Sequence, residues 1–430
     1  MMSTYSFIGL LFTFGCEMLR RCFRYSLLFV ITFLNLTCSQ NDLFYPNPFQ
    51  LPKGTSQISL ATRQAMEGVY RLVDGSSGLG VEFVCKASPK KVSFFSNSNG
   101  IFVILQAGLD SDSTLQFAGF WRVSEYVSSG GIRFEIPKDQ VVKLVKQKIT
   151  AGLKLTGDFS NGESNQQIVL QYVRDFSATK KVKPLVIFGH HGIQTNGNPP
   201  FMENSLEAFR QAEDYGANSL EVDVRMTKDN VPVLYHDQDL NIRLTQKGGI
   251  LTDIDKVTWN LLKNAVRLID GQRIPSVEEA LTLAVDSTNL KYVWLDIKGN
   301  PDVFKYMEPV IRRAQAHALA KGNKIIFITD IPSEGVLAEY FKQPSYADLP
   351  LMYELELDKT IALNFKYWGP RWTEGTLNAD VKRAHSLGMQ VYTWTVNSEV
   401  YTRSYLENGD FDGLISDFPA YAVYYYYVKP

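Results

Sequence analysis

The pattern of apolar and polar residues changes at about residue 180 of this 430-residue chain. Between residues 62 and 176, short runs rich in β-branched and aromatic residues, such as GVEFVCKA and LQFAGFWRV, are broken by Gly, Asp, Asn and Ser. Repeated short strands with turn residues between them are typical of an antiparallel sandwich or barrel. The segment 62–176 is therefore predicted to be an all-β accessory domain. It contains no histidine, and its sequence shows no catalytic constellation.

From residue 184 to residue 430 the pattern alternates between buried strands and amphipathic helices. Apolar runs such as PLVIFG and KIIFIT alternate with helical segments. One of these segments begins at Ser276 with Glu279 three residues later, which is the spacing of a capping box. Strands that alternate with helices indicate a parallel α/β fold, and their number agrees with a (β/α)8 TIM barrel.

The first 42 residues are predicted to be an export segment. A positively charged stretch precedes the apolar run Tyr25–Leu36, which is too short to span a bilayer comfortably. The sequence around Cys38 resembles a bacterial lipoprotein processing site. Membrane attachment through a lipidated Cys38, simple cleavage and an uncleaved anchor all stay open, and each predicts an exported, periplasmic or cell-envelope protein. Met18 is an alternative start, and residues 43–61 are predicted to be a tether.

The composition favours a globular protein and gives no support for binding to nucleic acid or to an anionic membrane surface. A formal net charge of −1 gives no basic excess for nucleic acid or for an anionic membrane surface. A hydrophobic content of 45% is typical of a packed globular protein, and the length is sufficient for two domains. Three of the four cysteines precede residue 43, so no disulfide framework is predicted for the folded part.

Two acidic residues in the run NSLEVDVRM are the first candidate functional residues. Glu221 and Asp223 alternate with apolar residues, so they share one face of a strand. Alone, such a pair is most simply a solvated acidic face. Two hard oxygen ligands at this spacing also suit Mg²⁺ or Ca²⁺. On the later strand YVWLDIKGN, Asp296 and Lys298 share a face by the same alternation.

Two histidines come at the ends of predicted strands. His190 follows the first strand of the barrel, and His236 ends the run VPVLYHD. Histidine titrates near neutral pH and is a common general acid or base. Active sites of barrel enzymes lie at the carboxyl ends of the strands. The sequence therefore predicts a site at this edge of the barrel.

The combined spacing resembles the glycerophosphodiester phosphodiesterase family. The pattern is H-x-G, E-N-S-x-E-A-F, G-A-x-x-x-E-x-D-V and T-K-D-x-x-P-V-x-x-H-D, and it is specific as a whole. The resemblance implies a TIM barrel that hydrolyses glycerophosphodiesters with a divalent metal, Mg²⁺ or Ca²⁺. It implies catalytic roles for His190 and His236 and metal ligation by Glu221, Asp223 and Asp296. It also implies substrate or phosphate contacts from Lys298, His191, Glu203 and Trp394.

The chain departs from the family pattern at two positions. Asp296 stands where the family has Glu, so a shorter side chain must reach the metal or leave room for water. His191 stands where the family has an arginine that contacts phosphate. Histidine is a weaker substitute because it is partly neutral and cannot form a bidentate fork. The substitution therefore bears on phosphate affinity or substrate choice more than on the class of reaction.

Three functions follow from these observations. The leading prediction is metal-dependent hydrolysis of a small-molecule glycerophosphodiester to glycerol 3-phosphate and an alcohol, with acid–base catalysis by histidine. A phospholipase D-like enzyme acting on lysophospholipids or sphingolipids is the first alternative, and Asp296 suits it. A non-catalytic binding protein on a decayed barrel is the second, and His191 is its main support.

Overall fold

The computed structural model describes residues 47–126, 128–146, 152–193, 201–342, 348–354 and 356–430. The predicted export segment, with Met18 and Cys38, lies outside the described residues, as does the start of the predicted tether.

Antiparallel strands dominate the first half of the described chain. They are β1 (Ser56–Gln57), β2 (Gly68–Gly75), β3 (Glu82–Ala87), β4 (Val92–Ser96), β5 (Phe102–Leu109), β6 (Leu115–Arg122), β7 (Ser129–Ile136), β8 (Lys154–Ser160) and β9 (Asn165–Arg174). Short helices accompany them at α1 (Leu60–Gln64), α2 (Lys138–Val145) and α3 (Ala178–Val182).

The strands β2 to β9 close into an antiparallel barrel, because β5 pairs with both β4 and β6. The short strand β1 pairs with the far end of β5. The sequence pattern left a sandwich and a barrel open, and the structure shows a barrel. Inward-facing aromatic side chains fill it, with Phe94 packed against Tyr70 and Phe134.

A second closed sheet occupies the rest of the chain. Its strands are β10 (Val186–Gly189), β11 (Ser219–Met226), β12 (Pro232–Leu234), β13 (Tyr292–Ile297), β14 (Ile326–Ile331), β15 (Leu351–Glu354), β16 (Tyr367–Gly369), β17 (Gln390–Thr393) and β18 (Gly413–Ser416). Its helices are α4 (Leu206–Gln211), α5 (Trp259–Ala265), α6 (Val277–Ser287), α7 (Val303–Ala320), α8 (Glu334–Tyr340), α9 (Leu357–Ala362), α10 (Asn378–Ser386), α11 (Glu399–Asn408) and α12 (Pro419–Tyr427).

Eight of these strands are parallel and form a barrel that closes between β10 and β18 and between β10 and β11. The remaining strand, β12, pairs antiparallel with the end of β11. Helices separate most of the parallel strands, which is the predicted architecture of a (β/α)8 barrel. The helix α6 begins with the predicted capping box between Ser276 and Glu279.

The predicted strands differ from the observed ones at two places: one predicted strand is mostly not extended, and β8 was missed. The run TIALNFKYW was expected to be a strand, but Thr360 lies in α9 and only Tyr367–Gly369 is extended. The strand β8 was not predicted, because Gly157 interrupts its apolar pattern. None of the described helices is long and apolar enough to cross a membrane.

The C-terminal helix α12 connects the two barrels. Tyr421 donates a hydrogen bond to Glu125 at 2.7 Å, and Tyr424 donates one to Glu82 at 3.1 Å. On the other side of the contact, Asp214 accepts a hydrogen bond from Ser88. These polar contacts join the antiparallel barrel to the outer layer of the parallel barrel. None of the three contacts involves the carboxyl ends of the parallel strands.

Candidate active site

A layer of carboxylates crosses the inner face of the parallel barrel near the carboxyl ends of its strands. Glu221 and Asp223 lie on β11, and Asp223 pairs in register with Asp296 of β13. Glu221 is 3% exposed and Asp223 is fully buried, so the solvated acidic face is excluded. One oxygen of each of the three carboxylates lies within 4.8 Å of the others. The structure thus brings together the three predicted metal ligands.

The crowding of these acids perturbs their protonation. Burial, and after it the charge of Asp223, raises the pKa of Glu221 to about 8. Burial also raises the pKa of Asp296, against the charge of Lys298. At Asp223, burial is outweighed by the nearby His191 and Lys298, so the pKa of Asp223 is lowered. A bound cation would relieve this repulsion and favour the ionised form of all three acids.

The donor set suits a hard divalent cation. All three groups offer carboxylate oxygens, the ligands that Mg²⁺ and Ca²⁺ prefer. The Oδ2 atom of Asp223 accepts a hydrogen bond from Asn204 at 2.7 Å, whereas its buried Oδ1 atom accepts none from the described residues and lies 3.3 Å from Nζ of Lys298. Asn204 therefore orients the carboxylate, and Oδ1 is the oxygen that already faces a positive charge and could face a metal cation.

Lys298 directly follows β13 and neutralises part of the negative charge of the three acids. Its Nζ atom is 2.6 Å from Asp296 and 3.3 Å from Asp223. Burial lowers the pKa of Lys298, but the two carboxylates outweigh burial and raise it. The lysine is therefore a fixed positive charge on the wall of the site.

His190 follows β10 and is held by the last strand of the barrel. Its Nδ1 atom is 2.6 Å from Asp417, which in turn accepts a hydrogen bond from Asn397 at 2.6 Å. Burial lowers the pKa of His190, but the bond to Asp417 and the charge of Glu221 outweigh burial and raise it to about 9. The ring is fixed with its Nε2 atom 3.9 Å from Glu221.

His236 has an equivalent support from the insertion that follows β12. Its Nδ1 atom is 2.7 Å from Asp237. Arg243 donates to both oxygens of Asp237, at 2.6 and 2.9 Å, and to both oxygens of Glu203, at 3.0 and 3.1 Å. The predicted site residue Glu203 is therefore buried against Arg243 and supports His236 from behind.

His191 lies between the two other histidines. Its ring centroid is 3.7 Å from that of His190 and 4.6 Å from that of His236. Its backbone is left-handed, with φ of 51°, and its N–H donates to Glu221 at 2.9 Å. His191 thus contacts both the acid set and the histidine pair, and its side chain lines the cavity.

The cavity above the carboxylate layer has a volume of ≈ 600 Å³. Trp394 lines it, and the indole N–H of this residue donates to the carbonyl of Gly369 at 2.8 Å. The residues that line the cavity include His190, His191, Glu221, His236, Trp294, Asp296, Lys298, Val336, Glu354 and Trp394. Of the predicted site residues, Asp223 and Glu203 lie behind this surface.

Sequence reasoning missed several groups of the site. Arg243 could have been suspected from its place shortly after His236 on a polar insertion. Asp330 directly follows the predicted strand KIIFIT, and Glu354 lies inside the predicted strand PLMYELEL, which ends at Glu354 in the structure. An acid at or beside an apolar strand was the available signal. Asn204 follows Glu203 directly and was passed over in favour of the acid.

The fold and the site define the class of (β/α)8-barrel enzymes that act at the carboxyl ends of their strands. The chain belongs to the Glycerophosphoryl diester phosphodiesterase family, whose model matches residues 190–421. The family match confirms the predicted family and phosphodiesterase class.

Two sequence relatives agree with the family match, and solved structures are similar over part of the chain. A glycerophosphodiester phosphodiesterase from Bacillus altitudinis is 28% identical over 255 residues, which cover 55% of this chain and 96% of the relative. Glycerophosphodiester phosphodiesterase 1 of Mus musculus is 38% identical over 106 residues, or 24% of this chain and 31% of the relative. A solved structure of an Oleispira antarctica phosphodiesterase in complex with sn-glycerol-3-phosphate is 20% identical, with a TM-score of 0.44, and covers 56% of this chain and 96% of that one.

Proposed function

We propose that the protein hydrolyses glycerophosphodiesters to glycerol 3-phosphate and an alcohol, with a divalent metal ion and acid–base catalysis by His190 and His236. One observation carries the proposal. In a chain of this family, an oxygen-ligand set lies between two histidines, each of which is bound to its own carboxylate.

The residues that would hold the ion are Glu221, Asp223 and Asp296. Mg²⁺ and Ca²⁺ both suit this all-oxygen set. When bound, such an ion supplies neutralisation of the negative charge on the phosphoryl oxygens. Lys298 adds a fixed positive charge beside it, and His191 lines the same wall.

The two histidines divide the proton transfers. In the family the glycerol hydroxyl next to the phosphate can attack phosphorus, and proximity favours this route over attack by water. The hydroxyl oxygen forms a bond to phosphorus while the bond to the alcohol oxygen breaks. One histidine takes the proton of the hydroxyl, and the other gives a proton to the departing alcohol. Water then opens the cyclic phosphate with the two roles exchanged.

The carboxylates behind the histidines fix their rings for this exchange. Asp417 holds Nδ1 of His190 and Asp237 holds Nδ1 of His236, so the Nε2 atom of each ring is left for the substrate. Trp394, which lines the same cavity, is proposed to contact the substrate.

The deciding experiment measures release of glycerol 3-phosphate from glycerophosphocholine by the purified protein. We expect release with Mg²⁺ or Ca²⁺, loss of release with EDTA and recovery when the metal is returned. Absence of release with either metal would contradict the proposal.

A phospholipase D-like activity on lysophospholipids or sphingolipids is the second candidate, and Asp296 in place of the family's Glu favours it. Turnover of acylated substrates with no turnover of deacylated ones would select it. If the protein turns over no phosphodiester at all, the result would instead favour a binding protein on a decayed barrel.

We also propose that the protein is exported and anchored through Cys38, on the basis of its N-terminal sequence alone. Metabolic labelling with a radioactive fatty acid tests the anchor. Label is expected on the full chain and not on Cys38→Ala, and an unlabelled wild-type protein would refute it.

A further inference from the structure

Two acids outside the proposed metal set continue the inner carboxylate layer around the barrel. Asp330 lies on β14 and Glu354 ends β15. The side chains of Ile328 and Met352 fill the barrel interior two residues earlier on these strands. Strand alternation therefore points Asp330 and Glu354 inward as well. Glu354 lines the cavity, and Asp330 is fully buried behind it.

The two acids are paired with each other, and the described part of the chain shows no ion pair from a basic side chain to either. Neither oxygen of Asp330 accepts a hydrogen bond from an N–H group or hydroxyl of a described residue. The nearest lysine, Lys298, is bound to Asp296 and Asp223. The guanidinium of Arg371 lies over the ring of Trp394, 5.2 Å from its centroid, so Arg371 and Lys298 act on Glu354 only through their charges.

Only one member of the pair reaches the cavity. Burial is the main cause that raises the pKa of both acids, and the charge of the proposed metal ligand Asp296 adds to it. Glu354 lines the cavity and Asp330 lies fully buried behind it, so Glu354 is the carboxyl group that a ligand can contact. A buried carboxylate without a cation is costly, and a positively charged ligand would offset that cost.

The rest of this wall is apolar and aromatic. Trp294, Trp394, Val336 and Pro332 line the cavity beside Glu354. The indole N–H of Trp294 is buried and has no acceptor among the described residues, so this side of the cavity lacks an internal polar partner. Aromatic faces next to a carboxylate favour an ammonium group, including a methylated one, over a hydroxyl group.

Resting on the proposed function, we propose that Glu354, supported by Asp330, binds a cationic amine on the substrate's alcohol, so that the enzyme selects zwitterionic glycerophosphodiesters such as those of choline or ethanolamine. The phosphodiester would lie at the proposed metal set while the ammonium group contacts Glu354 and Trp394. Glu354 would determine the specificity for the alcohol group by contacting its ammonium group. Asp330 lies behind Glu354 and is a positioning residue.

The test compares a zwitterionic diester with one that carries hydroxyl groups alone. We expect Glu354→Gln to lower kcat/KM for glycerophosphocholine by about 10- to 100-fold, mainly through KM, because a charge-assisted contact is lost. The same variant is expected to change kcat/KM for glycerophosphoglycerol by less than about twofold. Asp330→Asn is expected to lower the preference in the same direction by a smaller factor, and Glu354→Asp to restore part of it.

The matched control is Glu356→Gln, which removes an exposed acid two residues further along the chain and is expected to change neither rate. An equal loss for both substrates in Glu354→Gln would overturn the proposal, because Glu354 would then bind the glycerol part that all substrates share. An unchanged preference would overturn it as well.

A binding measurement separates this proposal from the proposed function. Calorimetry of the metal-loaded His190→Ala protein compares the affinities for glycerophosphocholine and glycerophosphoglycerol, with and without Glu354→Gln. A preference for the zwitterion that depends on Glu354 supports the proposal even if the wild-type protein turns over neither compound. Equal affinities refute it even if turnover is normal.

Discussion

The protein contains two closed barrels of eight strands each, and they differ in what fills them. The antiparallel barrel is packed with apolar and aromatic side chains, including Phe94, Phe117 and Phe134. The parallel barrel has an apolar inner cluster as well, around Phe188 and Met352. Above that cluster, however, its next inward layer is polar.

The difference shows where a barrel's function resides. Closure of the sheet and an apolar filling provide stability in both barrels. Only the parallel barrel exposes the carboxyl ends of all its strands at one edge, where short loops can carry polar groups. The carboxylate layer thus provides the chemical groups of the site at a cost in burial energy. The core cluster that fills the antiparallel barrel contains no such layer among its described residues.

The largest expected effect is on catalysis and arises only in the parallel barrel. His190→Ala and His236→Ala are each expected to lower kcat by about 10²–10⁴-fold, because each removes a proposed proton-transfer group. Steady-state release of glycerol 3-phosphate measures it. His317→Ala is the control, since His317 is an exposed partner of Asp286. Full turnover in both active-site variants would refute the acid–base assignment.

In the antiparallel barrel the expected effect is a loss of stability without a loss of catalysis. Phe94 is fully buried, with its ring 5.3 Å from that of Tyr70. Phe94→Ala is expected to lower the free energy of unfolding by about 3–5 kcal/mol, since it removes a core ring and leaves a cavity. Urea titration measures the loss, and kcat of the folded fraction should stay unchanged. Tyr126→Ala, at a side chain that is 64% exposed, is the control. A large fall in kcat would show that the two barrels are functionally coupled.

The same contrast explains how much could be predicted from the sequence. Periodicity identified β11 and β13 with their acids, because alternation is a local property. The pairing of His190 with Asp417 joins residues 227 positions apart, and only barrel closure brings them together. Local patterns contain no information on such a contact.

Other elements lacked a readable pattern for physical reasons. The strand β16 has three residues, too few for alternation to appear. The helix α12 is apolar on nearly every side because it is buried, so it lacks the one-sided periodicity of a surface helix. The acids Asp330 and Glu354 fell outside the family pattern, and their shared orientation becomes visible only once the strands are in register.

A smaller effect is expected from the support of His236. Arg243 joins Glu203 to Asp237, and a lysine cannot donate to both carboxylates with the same geometry. Arg243→Lys is expected to lower kcat by about 10-fold with little change in KM, because the ring of His236 loses its fixed orientation. Arg267→Lys is the control, since among the described residues Arg267 donates only to backbone carbonyls of the same insertion. An unchanged kcat would show that Asp237 holds the ring without Arg243.

The smallest expected effect is on the pH dependence of stability in the metal-free protein. The pKa of His190 is raised from 6.5 to about 9 in the folded state, mainly through Asp417 and Glu221 once the opposing effect of burial is overcome. The resulting stabilisation is fully present below pH 6.5 and is lost as the pH rises through about 9. Asp417→Asn removes the largest favourable contact, so its stability should decline less over this range.

Urea unfolding in EDTA at pH 6.5 and at about pH 9.5 measures both declines. Glu221, whose pKa burial raises to about 8, contributes a decline of the same sign in wild type and variant. The difference between the two proteins therefore reports the pair of His190 and Asp417. Equal declines would mean that Asp417 does not hold the proton of His190.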